Sequence, residues 1–159
     1  MDFATADLID EFGDELAGCS TQFRSYGGRA RFCGAVETVR CLEDNALVKG
    51  VLATPGSGRV LVVDGAGSLR TALMGDMIAA SAVAHGWSGV VINGAVRDVV
   101  ALRGLDLGVK ALGSNPCKSA KDGLGETGVP VSFGGAEIRP GMWLYGDEDG
   151  IVLATRSLL

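Results

Sequence analysis

The feature that most constrains the fold is a continuous apolar segment, residues 59–64, which reads Arg-Val-Leu-Val-Val-Asp and is bounded by Gly58 and Gly65. A strand that is apolar at successive positions has to be covered on both faces, as happens in parallel sheets with helices packed against them. These residues are therefore predicted to form a central strand of a sheet.

The chain after this strand alternates between helical and extended patterns. The sequence predicts helices over residues 77–85 and 99–105, and buried strands over residues 89–92 and 108–112. A β-α-β-α-β order implies parallel strands joined by right-handed crossovers. We expect a layered α/β sandwich, with an α+β arrangement as the alternative.

The flanking segments predict smaller elements. On the N-terminal side we predict a peripheral helix over residues 6–16 with Thr5 as its N-cap, a strand within residues 31–41, and a short helix stopped by Thr54-Pro55-Gly56. On the C-terminal side a glycine-rich loop precedes short strands at residues 129–133, 137–138, 143–145 and 151–154. The loop spans residues 123–128, and we expect all 159 residues to form one domain.

Composition excludes several classes of function. The net charge is −5 and the basic residues are dispersed, which argues against direct binding of nucleic acid. The four cysteines form no C-x-x-C pair and there is one histidine, so a zinc site is not expected and a reducing, cytoplasmic location fits best. The N-terminus is acidic and no apolar stretch reaches about 18 residues, so we expect neither a signal peptide nor a membrane span.

A candidate anion site lies at Gly75-Asp76-Met77-Ile78, where the helix predicted over residues 77–85 begins. The backbone N–H groups of the first helical residues have no partner inside the helix, and with the helix dipole they attract a carboxylate or phosphate. Gly75 would let a ligand approach closely. We therefore predict that these four residues bind an anionic substrate.

A second charged motif, Arg97-Asp98, follows the next strand. Twenty residues separate Asp76 from Arg97, enough for a helix and one returning strand, so the two motifs can meet at one sheet edge. Arg97 can grip an oxyanion, Asp98 can ligate Mg²⁺ or Mn²⁺, and Asp76 can assist proton transfer through a metal-bound water. Structural interpretations also fit: Asp76 as a helix cap and Arg97-Asp98 as a surface ion pair.

Several segments together carry a resemblance to a known family. They are Gly27-Gly28-Arg29-Ala30, Glu43-Asp44-Asn45, residues 58–65, Asp76 with Arg97-Asp98, Phe133-Gly134-Gly135 and Asp147-Glu148-Asp149-Gly150-Ile151. On these residues the chain resembles the regulator of ribonuclease E activity A family, from about residue 5 to residue 155. That family includes class II 4-hydroxy-4-methyl-2-oxoglutarate aldolases.

The resemblance implies a β/β/α layered fold that assembles as a ring-shaped trimer with active sites between subunits. It implies that Asp98 binds a divalent metal and that Arg97 holds the 2-oxo acid substrate and stabilises an enolate. The backbone of Gly75 to Ile78 would bind the pyruvyl carboxylate, and Asp76 would act through metal-bound water.

The implied reaction is retro-aldol cleavage of 4-hydroxy-4-methyl-2-oxoglutarate to two pyruvates, with oxaloacetate decarboxylation as a side activity. Both reactions leave electrons on a pyruvate carbon, so one site can serve both. Some members carry an acid where this chain has Ala101, and some extend beyond the position of Leu159. The preferred substrate is therefore left open.

Three alternatives remain from the sequence. The chain could be a non-enzymatic regulator that binds ribonuclease E, since an acidic surface suits a basic partner. Residues 60–68 imitate the glycine-rich loop of methyltransferases, although the acid expected about 20 residues later is missing. Lys118 or Lys121 could form a Schiff base, but both lie among polar loop residues, where a solvated lysine is expected.

Overall fold

The computed structural model describes residues 2–159. Its helices are α1 (Thr5–Phe12), α2 (Ala46–Leu52), α3 (Asp76–Ala84) and α4 (Val99–Leu102), with a 3₁₀ turn at Gly13–Glu15. Its strands are β1 (Leu16–Cys19), β2 (Arg24–Ser25), β3 (Phe32–Arg40), β4 (Val60–Asp64), β5 (Ala72–Met74), β6 (Gly89–Val96), β7 (Gly108–Ser114), β8 (Glu126–Thr127), β9 (Val131–Phe133), β10 (Ala136–Ile138), β11 (Trp143–Gly146) and β12 (Ile151–Ala154).

Ten of these strands form one curled, mixed sheet. The order along it is β1-β12-β11-β3-β4-β6-β7-β2, with β5 also paired to β6 and β8 to β3. Strands β3, β4, β6 and β7 pair in parallel, whereas β11, β12 and β1 extend the sheet with antiparallel pairing. Strands β9 and β10 form a separate hairpin. The predicted parallel β-α-β-α-β unit is thus confirmed as the centre of the sheet.

Both faces of β4 are covered, as its uninterrupted apolar sequence predicts. Leu61 and Val63 pack into the core beneath α2, α3 and α4, while Val60 and Val62 pack on the opposite face. All four side chains are buried completely. The opposite face is closed by β9, β10 and β11, so the molecule has two layers of β-structure and one of helices. The predicted β/β/α layering is therefore correct.

The first predicted helix is wrong at both ends. It ends at Phe12, and the chain passes through the 3₁₀ turn into β1, where Leu16 pairs with Ala154. Acidic residues in the last turn of a longer helix, here Asp14 and Glu15, would oppose the helix dipole. Strand pairing therefore replaces a third turn of helix.

Thr5 is not the N-cap, because Ala4 holds that position and Thr5 begins the helix. The cap comes from the β11–β12 turn: Asp147 accepts bonds from the Thr5 N–H and the Thr5 hydroxyl, each at 2.7 Å. Burial alone would raise the pKa of the Asp147 carboxyl, but these bonds and the N–H groups of Asp149 and Gly150 hold the pKa below its usual value. A distant carboxylate thus fixes the N-terminal helix.

Other boundaries differ in smaller ways. Strands β6 and β7 continue to Val96 and Ser114, beyond the predicted ends, and α4 is shorter than predicted. The predicted glycine-rich loop contains β8, and the predicted strand at residues 129–133 begins at residue 131. Strand β5 was not predicted, since three residues carry no periodicity.

The Phe32 ring explains one glycine in each of the strands β6, β7 and β11. A Cβ atom built on Gly89 or Gly108 would overlap the Phe32 ring, and one on Gly146 would lie 3.2 Å from it. The three missing side chains make the space that the ring fills on this face of the sheet. No helix within residues 2–159 is long and apolar enough to cross a bilayer.

One buried side chain gives the fold a dependence on pH. Lys110 is 2% exposed and donates one hydrogen bond, from Nζ to Ser25 Oγ at 3.2 Å. Burial lowers the pKa of Lys110, and the charges of Asp147 and Glu148 offset only part of that effect. The folded protein therefore holds the proton less tightly than the unfolded chain does.

We expect Lys110→Met to raise the free energy of unfolding at pH 7, by about 1 kcal/mol, since it removes a desolvated charge. Between the lowered folded pKa and the ordinary lysine value of about 10.4, the unfolded chain binds more protons, so wild-type stability rises with pH there. The difference in unfolding free energy between variant and wild type should therefore narrow as pH rises through the alkaline range toward about 10.4. Urea unfolding across that range measures it; a constant gap would contradict the prediction.

Candidate active site

The carboxyl ends of two neighbouring parallel strands build the site. Strand β5 pairs in parallel with β6, and the N–H of Arg97 donates to the carbonyl of Met74 at 3.0 Å. Gly75 follows β5 directly and Arg97 follows β6 directly. Parallel strands present their carboxyl ends at one edge of the sheet, which is where α/β proteins bind ligands. The two predicted motifs therefore lie side by side.

Asp98 points its carboxylate at the N-terminus of α3. The N–H of Asp76 donates to Asp98 Oδ2 at 3.0 Å. Asp98 has a left-handed backbone, with φ of 59° and ψ of 44°, a conformation that aspartate tolerates better than most residues. The Asp76 N–H, predicted to bind the substrate, therefore already has an acceptor in Asp98.

The N-terminus of α3 still offers two donors. The first bond inside the helix runs from the N–H of Ala79 to the carbonyl of Gly75, at 3.1 Å, so the N–H groups of Met77 and Ile78 have no acceptor within the helix. Gly75 is the N-cap, and the Asp76 side chain makes no cap bond. The alternative interpretation of Asp76 as a cap is therefore wrong.

Glycine is needed at position 75 because a side chain there would collide with its neighbours, and not because of its backbone conformation. Its φ is −124°, which any residue can adopt. A Cβ atom at this position would overlap the Asp98 carboxylate and would lie 3.2 Å from Arg97 Cγ. The absence of a side chain at Gly75 thus allows the Asp98 carboxylate to reach the helix.

Arg97 is half-buried and has no carboxylate partner among residues 2–159. Its one side-chain hydrogen bond runs from Nη1 to the carbonyl of Pro116, at 3.4 Å. The interpretation of Arg97-Asp98 as a surface ion pair is therefore wrong. A guanidinium with free donors at a sheet edge can bind an oxyanion.

These groups line one cleft with a volume of about 210 Å³. It is smaller than the roughly 300–1,000 Å³ pockets that hold drug-sized ligands, and so suits a small metabolite. Its charged lining comprises Asp76, Asp98, Arg97, Lys49, Lys118 and Lys121. Cations thus outnumber acids in the cleft of a chain whose net charge is −5, which favours an anionic ligand.

The sequence spacing of the three lysines does not indicate that they lie in this cleft. All three are exposed, and none forms an ion pair in the part of the chain that the structure describes. Their exposure matches the solvated interpretation of Lys118 and Lys121 and leaves them without the burial that activates a Schiff-base lysine. A free ammonium in a cleft can still hold a carboxylate.

Asp44 anchors the loop that carries Lys118 and Lys121. Its buried carboxylate accepts N–H groups from Asp122, Gly123 and Leu124 at 3.0–3.3 Å, and also the N–H of Ala46. Burial would raise the pKa of Asp44, but these four donors together hold it below its usual value. The motif Glu43-Asp44-Asn45 contributes to the family resemblance, but its sequence spacing does not indicate this role.

The donor set suits a hard divalent cation. Asp76 and Asp98 both have exposed side chains and line the cleft, and Asp98 Oδ1 has no hydrogen-bond partner among residues 2–159. Among residues 2–159 no three His, Cys, Asp or Glu side chains cluster as a metal cage. One or two carboxylates, completed by water and substrate, is the coordination that Mg²⁺ commonly has in proteins.

The glycine-rich turn after β4 lies apart from this cleft. The N–H groups of Gly65 and Gly67 both donate to the carbonyl of Asn93, and the chain continues into β5 and not into a helix. A nucleotide-binding loop needs free N–H groups that lead into a helix. The turn therefore has a structural explanation.

Comparison with known proteins gives a consistent result. The family model RraA-like, described as Aldolase/RraA, matches residues 5–153. The RNA-processing inhibitor RraA from Thermus thermophilis is 49% identical, with a TM-score of 0.96 over 100% of this chain and 96% of that one. An S-adenosylmethionine:2-dimethylmenaquinone methyltransferase from Geobacillus kaustophilus is 46% identical, with a TM-score of 0.97 over 98% and 97% of the two chains.

A more distant relative is RraAS2 of Streptomyces coelicolor, described as an unusual member of the RNase ES inhibitor RraA protein family. It is 27% identical, with a TM-score of 0.75 over 94% of this chain and 77% of that one. The names of these relatives differ, but all three share the fold over at least 94% of this chain. The chain belongs to the RraA-like family, which is described as Aldolase/RraA.

Proposed function

We propose that this protein is a metal-dependent class II aldolase that cleaves 4-hydroxy-4-methyl-2-oxoglutarate to two pyruvates and also decarboxylates oxaloacetate. The observation that supports this most is the meeting of Asp98, the unpaired Arg97 and the free N–H groups of α3 in one basic cleft. These are the groups needed to bind a 2-oxo acid and to stabilise its enolate.

Substrate binding follows from the donors in the cleft. The N–H groups of Met77 and Ile78, at the positive end of the α3 dipole, would hold the pyruvyl carboxylate. Arg97 would donate to the 2-oxo oxygen, where negative charge grows as the bond breaks. The carboxylate contact is already complete in the bound substrate and lowers the dissociation constant, whereas the Arg97 contact strengthens as charge grows on the 2-oxo oxygen and therefore lowers the barrier.

The chemistry breaks the bond between C3 and C4. The C4 hydroxyl loses its proton and its oxygen becomes the carbonyl of the first pyruvate, while the bonding electrons move to C3 and onto the 2-oxo oxygen. Protonation of C3 then yields the second pyruvate. Asp76, an exposed carboxylate in the cleft, would take the hydroxyl proton and return it to C3.

Asp98 would hold Mg²⁺ or Mn²⁺, the cations that carboxylate oxygens and water prefer. When bound, the cation would supply Lewis-acid stabilisation of the charge on the 2-oxo oxygen. Arg97 acts on the same charge. Decarboxylation of oxaloacetate leaves electrons on the equivalent carbon, so the same groups serve both substrates.

Oxalate, a planar analogue of the enolate, tests the proposal of one site for two reactions. Pyruvate release from each substrate is measured with Mg²⁺ while the oxalate concentration is varied. The proposal requires one inhibition constant for both reactions. Two clearly different constants, or activity on neither substrate at high enzyme concentration, would sink it.

A second candidate function is regulation of a ribonuclease. Its support is the relative from Thermus thermophilis, which is named as an inhibitor of RNA processing and is 49% identical. A protein partner of the ribonuclease E type would then bind the acidic surface. Co-purification with such a nuclease, together with unchanged inhibition by Asp98→Ala, would favour this function over catalysis.

We also propose that the chain forms a homotrimer with the cleft at the subunit boundary. Two large apolar side chains beside the site are open to solvent, Met77 at 83% and Val100 at 80%. Exposed apolar groups next to a functional cleft are typical of an interface.

Combined Met77→Asp and Val100→Asp changes should break this trimer, because charges would be buried against apolar groups. Light scattering should give about three times the 16.3 kDa chain mass for the wild type and one chain mass for the variant. Ile9→Asp, on the exposed part of α1, is the control and should leave the mass unchanged. A monomeric wild type would refute the trimer.

A further inference from the structure

The side-chain amide of Asn45 makes no hydrogen bond within residues 2–159. Asn45 is 8% exposed, and its Oδ1 is buried without a hydrogen-bond partner in the part of the chain that the structure describes. Leaving a buried amide oxygen unpaired is costly, and native proteins rarely do so. A residue in this state calls for an explanation.

Helix capping does not supply one. Asn45 directly precedes α2, a position where asparagine normally accepts an N–H from the first turn. Its side chain makes no cap bond, and Asp44 accepts the N–H of Ala46 instead. The backbone of Asn45 is satisfied, since its N–H donates to Ala120 and its carbonyl accepts from Lys49. Of the polar groups of Asn45, only the side-chain amide lacks a hydrogen-bond partner among residues 2–159.

The amide lies in the wall of the candidate active site. Asn45, Lys49 and Ala53 all line the cleft. Their four-residue spacing places them on one stripe of α2. This helix packs against α3, whose N-terminus forms another wall. The cleft thus has a pyruvyl end, at α3 and Arg97, and a second end lined by an amide and an ammonium.

We propose that Asn45 is a substrate-binding residue whose amide hydrogen-bonds the distal carboxylate of a 2-oxo dicarboxylate, with Lys49 pairing the same group. The amide nitrogen is the atom that can donate to a carboxylate: Nδ2 has no hydrogen-bond partner among residues 2–159 and, unlike Oδ1, is not fully buried. The ammonium of Lys49 adds charge complementarity. This inference rests on the proposed function and assigns the part of the substrate beyond the pyruvyl group.

Binding of two probes distinguishes the contributions of the two ends of the cleft. Pyruvate carries only the pyruvyl carboxylate, whereas 2-oxoglutarate adds a distal carboxylate on the same carbon skeleton as the proposed substrate. Calorimetry with Mg²⁺ present should show that Asn45→Ala lowers the affinity for 2-oxoglutarate at least fivefold and the affinity for pyruvate less than twofold. Lys49→Met, at an exposed site, should show the same selectivity without endangering the fold.

The melting temperature of the free protein supplies a second readout. Asn93→Ala is the matched control, because the Asn93 amide has a partner, Asp64 Oδ1, at 3.0 Å. That variant should lower the melting temperature, whereas Asn45→Ala should not, since no bond is lost. The inference would be overturned if Asn45→Ala lost affinity equally for both probes or for neither. A drop in its melting temperature as large as that of Asn93→Ala would also overturn it. If the wild type binds neither probe, the proposed function fails as well.

Discussion

Arg97→Ala is expected to lower kcat/KM for both substrates by about 10³-fold, the upper range seen when one donor to a developing oxyanion is removed. The two reactions should lose the same factor because they share the enolate. Arg97 has no ion-pair partner among residues 2–159 to leave uncompensated, so the melting temperature should hardly change. Steady-state pyruvate release measures the effect.

Arg97→Lys is the matched variant. It keeps the positive charge but loses the planar fork, so it should recover only about tenfold of the lost activity. Affinity for Mn²⁺ should stay within about threefold of wild type in both variants, since Asp98 is untouched. If Arg97→Ala lowers kcat/KM less than tenfold, or by different factors for the two substrates, Arg97 does not stabilise the enolate.

Gly75→Ala is expected to impair the metal site through a single methyl group. The new Cβ would occupy the space of the Asp98 carboxylate, so that carboxylate must turn away from α3. We expect Mn²⁺ affinity to fall at least tenfold and kcat/KM about 10²-fold, as for other displaced metal ligands or their supports. Because Asp98 is exposed and can move, the stability cost should be only about 1 kcal/mol.

Gly50→Ala is the control for this substitution. Gly50 lies within α2, its built Cβ has no atom within 4 Å, and its φ is not positive. Alanine there should leave metal binding intact and add about 0.5–1 kcal/mol of stability. Electron paramagnetic resonance titration of Mn²⁺ compares the two variants. Equal Mn²⁺ affinity in Gly75→Ala and wild type would exclude Asp98 as the metal ligand.

The central part of the fold could be predicted because its signals are local and redundant. The segment at residues 59–64 is apolar throughout, and the helix and strand patterns after it repeat in the order that implies parallel crossovers. The convergence of Asp76 with Arg97-Asp98 follows from that topology. The N-terminal segment was harder, because pairing between Leu16 and Ala154 joins opposite ends of the chain.

Several features of the site depend on contacts that no spacing reveals. The carboxylate of Asp98 accepts the N–H of Asp76, and Gly75 is needed for that approach. Asp44 accepts hydrogen bonds from N–H groups of a loop nearly 80 positions further along the chain. These bonds hold Lys118 and Lys121 at the cleft. The unpaired amide of Asn45 is invisible in the sequence, since asparagine before a helix normally indicates a cap.

The most direct test of metal-dependent aldolase activity is the stoichiometry of pyruvate release from 4-hydroxy-4-methyl-2-oxoglutarate by purified protein. Metal-dependent retro-aldol cleavage should release two pyruvates for each substrate molecule consumed with Mg²⁺ or Mn²⁺, with no release after chelation and full recovery when the metal is restored. Release that continues in chelator, or no release at any metal concentration, would contradict it.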